Sequence, residues 1–118
     1  MHYFNRMMMP PITVVETTFF KNQADTILSY SERLELITFL ASNPEAGAII
    51  SGTGGVRKVR WAKENEGKSG GFRAIYYFYN EEMPLFALMV YQKNTKDTLT
   101  KGEKNQLKKL VFELIDQY

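Results

Sequence analysis

The hydrophobic positions in the first half of the chain predict one short strand followed by two helices. Residues 12–16 are rich in β-branched side chains, as strands are. Apolar residues then recur with helical spacing at Phe20, Ala24, Ile27 and Leu28. Ser29 and Glu32 form a capping-box pair that begins a second helix. Its predicted apolar face consists of Leu34, Ile37, Leu40 and Ala41. This helix ends at Asn43-Pro44, because a residue before proline is disfavoured in the helical region.

The second half of the chain predicts three strands and a final helix. Apolar and aromatic residues dominate the segments 56–62, 72–79 and 85–91. The connections between these segments are short, which favours an antiparallel meander. Thr100 and Glu103 form another capping box. Apolar residues with the spacing of an amphipathic helix follow it at Leu107, Leu110, Val111, Leu114 and Ile115.

This order of elements predicts a single α+β domain. We expect an antiparallel β-sheet with the N-terminal helices and the C-terminal amphipathic helix packed on one face. The domain is expected to cover residues 12–118, and residues 1–11 to form a flexible lead-in closed by Pro10-Pro11. A length of 118 residues suits one domain with its own hydrophobic core.

The composition excludes several classes of functional site. The chain has no cysteine and a single histidine, His2, which rules out disulfide scaffolds, thiolate metal centres, cysteine nucleophiles and histidine pairs for acid–base catalysis. No apolar run approaches the ~18 residues of a membrane span, and the first residues lack the apolar segment of a signal peptide. We therefore expect a cytoplasmic protein without a metal ion or cofactor.

Positive charge is concentrated in one short stretch. The whole chain has a net charge of only +2, but residues 56–73 contain six basic and two acidic side chains. The six basic residues are Arg57, Lys58, Arg60, Lys63, Lys68 and Arg73. Such a concentration suits the binding of a polyanion, and a solvated strand face is the structural alternative.

Strand periodicity predicts which of these basic residues share a face. Alternate side chains of a strand point to opposite sides, so Lys58 and Arg60 share one face, while Arg57 shares the other with Val59 and Trp61. In the following strand one face carries Arg73, Ile75, Tyr77 and Tyr79. We expect this face, the more polar of the two, to join Lys58 and Arg60. Basic residues interleaved with tyrosines are typical of nucleic-acid surfaces, where arginine neutralises phosphate and rings stack on bases.

Three segments carry a resemblance to a known family. Residues 52–60 read GTGGVRKVR, residues 67–78 read GKSGGFRAIYYF, and residues 91–94 read YQKN. This pattern of glycines followed by alternating basic and hydrophobic residues resembles the bacterial RelE/HigB toxin superfamily, in its HigB-like branch. Together with the order of elements, the resemblance spans roughly residues 12–115.

The resemblance implies the toxin of a type II toxin–antitoxin system. Such a toxin is a ribosome-dependent mRNA endonuclease, which inhibits translation through in-line attack of a ribose 2′-hydroxyl on the adjacent phosphate. Its implied partners are a cognate HigA-type antitoxin with a helix-turn-helix domain, the ribosome and mRNA, and operator DNA only through the antitoxin. A non-catalytic RNA- or partner-binding module on the same fold is the alternative.

In-line cleavage needs a base for the 2′-hydroxyl, stabilisation of the phosphorane charge, and an acid for the leaving oxygen. Lys58 and Arg60 are the candidates for base and phosphate contact, and Arg73 for clamping the phosphorane through its bidentate fork. Lys93 matches a basic catalytic position of the family. The candidate RNA-binding residues are Arg57, Lys63, Lys68, Tyr77 and Tyr91. The general acid and base stay open, because the histidine or C-terminal tyrosine of some relatives has no counterpart within the resemblance.

Each candidate also has a purely structural interpretation. Arg73 suits an ion pair with Glu64 or Glu81, Lys93 suits a surface position, and the tyrosines suit packing within a half-buried sheet.

Overall fold

The structure is a computed structural model that describes residues 11–61, 71–94, 96 and 98–118. These residues form five strands and three helices. In chain order the elements are β1 (Val14–Glu16), α1 (Thr18–Ile27), α2 (Tyr30–Ser42), β2 (Ala48–Ile49), β3 (Arg57–Trp61), β4 (Phe72–Tyr77), β5 (Leu85–Gln92) and α3 (Lys101–Gln117). The predicted α+β class is confirmed. The predicted lead-in lies, apart from Pro11, outside the described residues.

The strands form one mixed sheet in the order β1-β5-β4-β3-β2. Strands β2 to β5 pair antiparallel, as the short connections between the last three predict. β1, however, joins β5 in parallel, so the prediction of a fully antiparallel sheet is wrong in this respect. Parallel neighbours need a long crossover connection, and the helices and strands between β1 and β5 supply it. A three-residue strand carries no signal of its partner's direction.

Local capping begins each helix where the sequence predicts or close to it. Ser29 and Glu32 form the capping box of α2: the Glu32 N–H donates to the Ser29 hydroxyl at 3.1 Å, and the Ser29 N–H donates to the Glu32 carboxylate at 2.8 Å. α2 ends before Pro44, at the C-cap residue Asn43. α1 begins at Thr17, whose hydroxyl accepts from the Phe20 N–H. The caps satisfy backbone donors that the first turn of a helix leaves unpaired.

The helices cover opposite faces of the sheet, which corrects the prediction that all of them pack on one face. α1 and α2 bury Phe20, Leu36 and Leu40 against one face, with Phe72, Ala74 and Tyr76 of β4. α3 buries Leu107, Val111 and Leu114 against the other, with Ile75 and Tyr77. The physical reason is that every residue of β4 is buried, so neither face of this strand can be left to water. We call the two sides the α2 face and the α3 face.

The core side of α2 also differs from its prediction. Leu40 and Ala41 are buried as expected, but Leu36 takes the place expected of Leu34, which is 53% exposed. α2 has leucines on more than one side, and the packing against the sheet selects the side that holds Leu36. Among the described residues no helix has the length and apolarity needed to cross a membrane.

Candidate nucleic-acid interface

Strand register brings basic residues together on the α3 face. Arg60 of β3 lies directly opposite Arg73 of β4, and Arg73 lies directly opposite Tyr91 of β5. Lys58 is opposite Ile75 and therefore points to the same side. Residues directly opposite each other in antiparallel strands have Cβ atoms about 4.5–5.5 Å apart. The shared face predicted for Lys58, Arg60 and Arg73 is thus present. We call Arg60, Arg73 and Tyr91 the basic row.

Burial differs along the basic row. Arg60 is exposed and the neighbouring Lys58 is half-buried, whereas Arg73 and Tyr91 are each only 4% exposed. A buried charge interacts more strongly with a nearby ion than an exposed one does, because less water screens it. Arg73 is therefore well shielded from water, and it presents little surface to a phosphate.

Lys93 lies at the same end of the sheet as the basic row. Its backbone N–H donates to the Gly71 carbonyl at 3.2 Å, which extends the pairing of β5 and β4 beyond the ends of both strands. Lys93 is half-buried and comes two residues after Tyr91. The structure thus places a further cation near Arg73. Lys63 and Lys68 lie outside the described residues.

Arg57 lies on the α2 face, away from the basic row. One of its guanidinium nitrogens donates to the carbonyl oxygens of Gly47 at 2.7 Å and Glu45 at 3.2 Å. The Gly47 N–H in turn donates to the Tyr76 hydroxyl at 2.8 Å. Burial of Tyr76 raises the pKa of this hydroxyl, and the hydrogen bond from Gly47 partly opposes the shift. Arg57 and Tyr76 together hold the segment that leads into β2.

Tyr77 and Tyr79 lie on the α3 face, at the other end of β4 from Arg73. Tyr77 is 3% exposed and belongs to the core under α3, so its ring presents almost no surface to a base. Burial raises the pKa of the Tyr77 hydroxyl, and the neighbouring Tyr79 adds to the shift. Tyr79 stacks on Tyr77 with ring centroids 6.5 Å apart and is itself 54% exposed. Sequence reasoning put Tyr79 on the right face but did not assign it to the site.

Within the described residues no group of three or more histidine or acidic side chains is placed to hold a metal ion. The described side chains that the strand register brings to the α3 face include those of Lys58, Arg60, Arg73 and Tyr91. A sheet face that carries exposed or half-buried cations, here Arg60, Lys58 and Lys93, is suited to contact with a polyanion.

Comparison with known proteins identifies the family. Residues 40–117 match the family described as the RelE toxin of the RelE/RelB toxin–antitoxin system. This range is more than half of the chain, and the chain belongs to that family. Membership makes it the toxin of a toxin–antitoxin pair, with an antitoxin as its partner.

A solved structure of the E. coli toxin RelE, an arginine-to-alanine double mutant in the free state, is similar in fold. The two align with a TM-score of 0.52 and 14% sequence identity, over 92% of this chain and 98% of that one. At this identity the likeness shows the fold alone. The RelE-like fold expected from the sequence is confirmed.

Proposed function

We propose that this chain is a ribosome-dependent mRNA endonuclease of the HigB-like branch, which inhibits translation by cutting message bound to the ribosome. The observation that carries the proposal is the basic row, where register aligns Arg60 and Arg73 on adjacent strands, with Lys58 on the same face. Membership in the RelE toxin family supports it. Its proposed partners are the ribosome and a HigA-type antitoxin that carries the operator-binding helix-turn-helix domain. We place its action in the cytoplasm.

The proposed reaction is attack of a ribose 2′-oxygen on the adjacent phosphorus. The bond from phosphorus to the 2′-oxygen forms as the bond to the 5′-oxygen breaks, which leaves a cyclic phosphate and a 5′-hydroxyl. One proton leaves the 2′-hydroxyl and another reaches the 5′-oxygen. We assign Lys58 to the base role, Arg60 to phosphate contact, and Arg73 to the phosphorane charge through its two-pronged guanidinium. Lys93 is assigned as a further cation beside the leaving group.

Two features of the chain support dependence on the ribosome. The single histidine, His2, lies far outside the matched range, so the chain has no histidine pair for acid–base catalysis. Arg73 and Tyr91 are each only 4% exposed, so the central cation of the proposed site presents little surface to free RNA. A ribosome that holds the message in an in-line geometry would supply the orientation that such a minimal site lacks.

The proposal is tested by cell-free translation of a defined message, with 5′ ends mapped by primer extension. Wild type is compared with Arg73→Ala and with Lys21→Ala, which removes an exposed cation of α1 on the other side of the sheet. We expect wild type and Lys21→Ala to cut translated message and to spare naked RNA. Arg73→Ala should cut about 10²–10³-fold more slowly, the usual loss for one charge-stabilising donor.

The controls separate loss of chemistry from loss of fold. Because Arg73 is buried, circular dichroism and Arg73→Lys accompany the alanine variant: lysine keeps the charge but not the fork. Translation arrest without cut message would favour the non-catalytic module instead. Equal cutting of naked RNA would remove the dependence on the ribosome, and a wild-type rate for Arg73→Ala would remove Arg73 from the mechanism.

A further inference from the structure

One side of α3 carries a stripe of lysines that the proposed chemistry does not use. Lys101, Lys104 and Lys108 are spaced three and four residues apart, so they lie within an arc of about 60° on the helix surface. Lys101 and Lys108 are exposed and Lys104 is half-buried. We call these three residues the lysine stripe. Lys109 lies about 100° further round the helix from Lys108.

The lysine stripe borders the strand that carries Lys58 and Arg60. A Cβ placed on Gly54 would lie 3.7 Å from Cγ of Lys108 and 3.8 Å from Cγ1 of Val111. Gly54 belongs to the turn that leads into β3, so this side of α3 faces β3. Lys104 lies on the same side of α3, because it precedes Lys108 by about one helical turn. The stripe therefore lies next to the turn before β3, on the side of the sheet that carries Lys58 and Arg60.

The lysine stripe has no opposing charge on its own helix. Over Lys101–Gln117, all of which the structure describes, the carboxylates lie on other sides of α3, by helical periodicity. Glu103 is engaged by the Lys96 ammonium and by the Thr100 N–H. This engagement lowers the pKa of Glu103, through the Lys96 hydrogen bond first. No carboxylate of α3 itself therefore neutralises the stripe.

Tyr79 lies near the same turn and adds an aromatic surface. Its ring stacks on Tyr77, and a Cβ placed on Gly55 would lie 3.4 Å from Cε1 of Tyr77. One face of the Tyr79 ring thus rests on the protein, while over half of the residue is exposed. Surfaces that bind single-stranded nucleic acid combine a cationic track for the backbone with rings on which bases stack. An acidic peptide would use the lysines but would gain little from an open ring, so the combination favours RNA.

We propose that the lysine stripe and Tyr79 form a non-catalytic RNA subsite, in which the lysines bind backbone phosphates and the tyrosine ring stacks on a base. Tyr79 lies six residues along the chain from Arg73, or about 20 Å in extended geometry, so the subsite holds RNA several nucleotides from the point of cleavage. The inference rests on the proposed function, because it extends the path of the same RNA.

The test measures RNA binding without cleavage. A fluorescently labelled single-stranded RNA with 2′-O-methyl riboses cannot be cut by 2′-oxygen attack, and its anisotropy reports binding between 0.1 and 1 M salt. Lys104→Gln with Lys108→Gln is compared with Lys21→Gln with Lys109→Gln, which removes the same charge elsewhere. Loss of two phosphate contacts should make the salt slope about 1.4 less negative and weaken binding about 25-fold at 0.1 M salt. The control pair should match wild type.

The aromatic part of the subsite is tested separately. Tyr79→Ser should weaken binding at least about fivefold, and Tyr79→Phe should not, because stacking needs the ring and not the hydroxyl. Equal binding by the two lysine pairs would overturn the inference. The inference would also be overturned if Lys104→Gln with Lys108→Gln weakened binding of the antitoxin but left RNA binding unchanged.

The same measurements distinguish this inference from the proposed function. If wild type cuts message and Lys104→Gln with Lys108→Gln binds RNA as well as wild type does, the proposed nuclease stands and the subsite is excluded. If that double variant binds RNA more weakly and wild type does not cut message, the subsite stands and the nuclease is excluded.

Discussion

The structure changes the interpretation of Arg57, which the sequence predicts to bind RNA. Its sequence neighbours are basic, but its guanidinium donates to two carbonyl oxygens of the segment before β2. Gly47, which receives one of these bonds, is also held through its N–H by Tyr76. A Cβ at Gly47 would lie 2.9 Å from the Lys58 carbonyl oxygen and from the Tyr76 ring, so only glycine fits without a shift. These contacts hold the backbone beside Lys58.

We therefore expect Arg57→Ala to lower stability more than RNA affinity. Leaving the Gly47 carbonyl without its donor should reduce the free energy of unfolding by about 1–3 kcal/mol. Arg60→Ala is the comparison, because Arg60 is an exposed arginine of the same strand on the α3 face. It should keep the stability and weaken RNA binding. Urea denaturation and RNA anisotropy measure the two effects. If Arg57→Ala lowered the affinity for RNA without lowering the stability, Arg57 would be an RNA-binding residue after all.

At the scale of elements, a small network fixes the start of α3. Thr100 and Glu103 form a reciprocal capping box, with the Glu103 N–H donating to the Thr100 hydroxyl at 3.1 Å. The Lys96 ammonium pairs with the same carboxylate, and the Lys96 N–H donates to the Gln92 carbonyl at the end of β5. The network joins β5 to α3 just beyond Lys93. It therefore helps to set where the lysine stripe lies relative to the sheet.

Glu103→Gln should lower stability in a pH-dependent way. Glutamine can still cap the helix but cannot pair with the Lys96 charge, so we expect a loss of about 0.2–1 kcal/mol at pH 7. The pKa of Glu103 is lowered in the folded chain, so its contribution is complete above the usual carboxyl pKa of about 4.3. It is lost as the pH falls through the lowered pKa. The difference in the free energy of unfolding between wild type and Glu103→Gln should therefore vanish at pH values below the lowered pKa of Glu103.

Urea denaturation at a series of pH values measures this difference. Glu113→Gln, which removes an exposed carboxylate near the other end of α3, is the matched control. A difference between wild type and Glu103→Gln that stayed constant down to the acid end would show that the charge of Glu103 does not stabilise the fold.

At the scale of the whole molecule, positive charge gathers on one side of a sheet that is covered on both faces. The α3 face carries Lys58, Arg60 and Arg73, and the lysine stripe lines its border. Charged surfaces of one sign steer oppositely charged partners and speed their association. An antitoxin that neutralises this toxin by covering the α3 face would therefore carry an acidic segment.

We expect the association rate with the cognate antitoxin to fall as salt rises, because charges are screened over about 8 Å at physiological ionic strength. Lys63→Glu with Lys68→Glu should slow association at low salt, since both lysines belong to the basic stretch 56–73. Lys21→Glu with Lys109→Glu makes the same charge change elsewhere and should have less effect. Stopped-flow kinetics measure the rates. Equal rates would place the antitoxin away from the basic stretch and favour steric exclusion from the ribosome.

The sequence alone determined the features that depend on near neighbours. Two capping boxes were predictable because each needs only two residues three positions apart. The shared face of Lys58 and Arg60 was predictable because strand alternation is a local geometric rule. The resemblance in 52–60 and 67–78 led to the family, because the motif consists of contiguous residues. Local rules of this kind were enough to assign Lys58, Arg60 and Arg73 correctly to one face of the sheet.

Only the tertiary structure decided what covers each of these residues. The parallel pairing of β1 with β5 joins segments about 70 residues apart, and no local pattern encodes that choice. Tyr77 and Tyr91 are predicted from the sequence to bind RNA, but the packing on the α3 face buries both. Arg57 binds the backbone ten residues before it, and the lysine stripe borders β3 through Gly54. Burial and partners are set by contacts between distant segments, and such contacts exist only once the sheet and helices have packed.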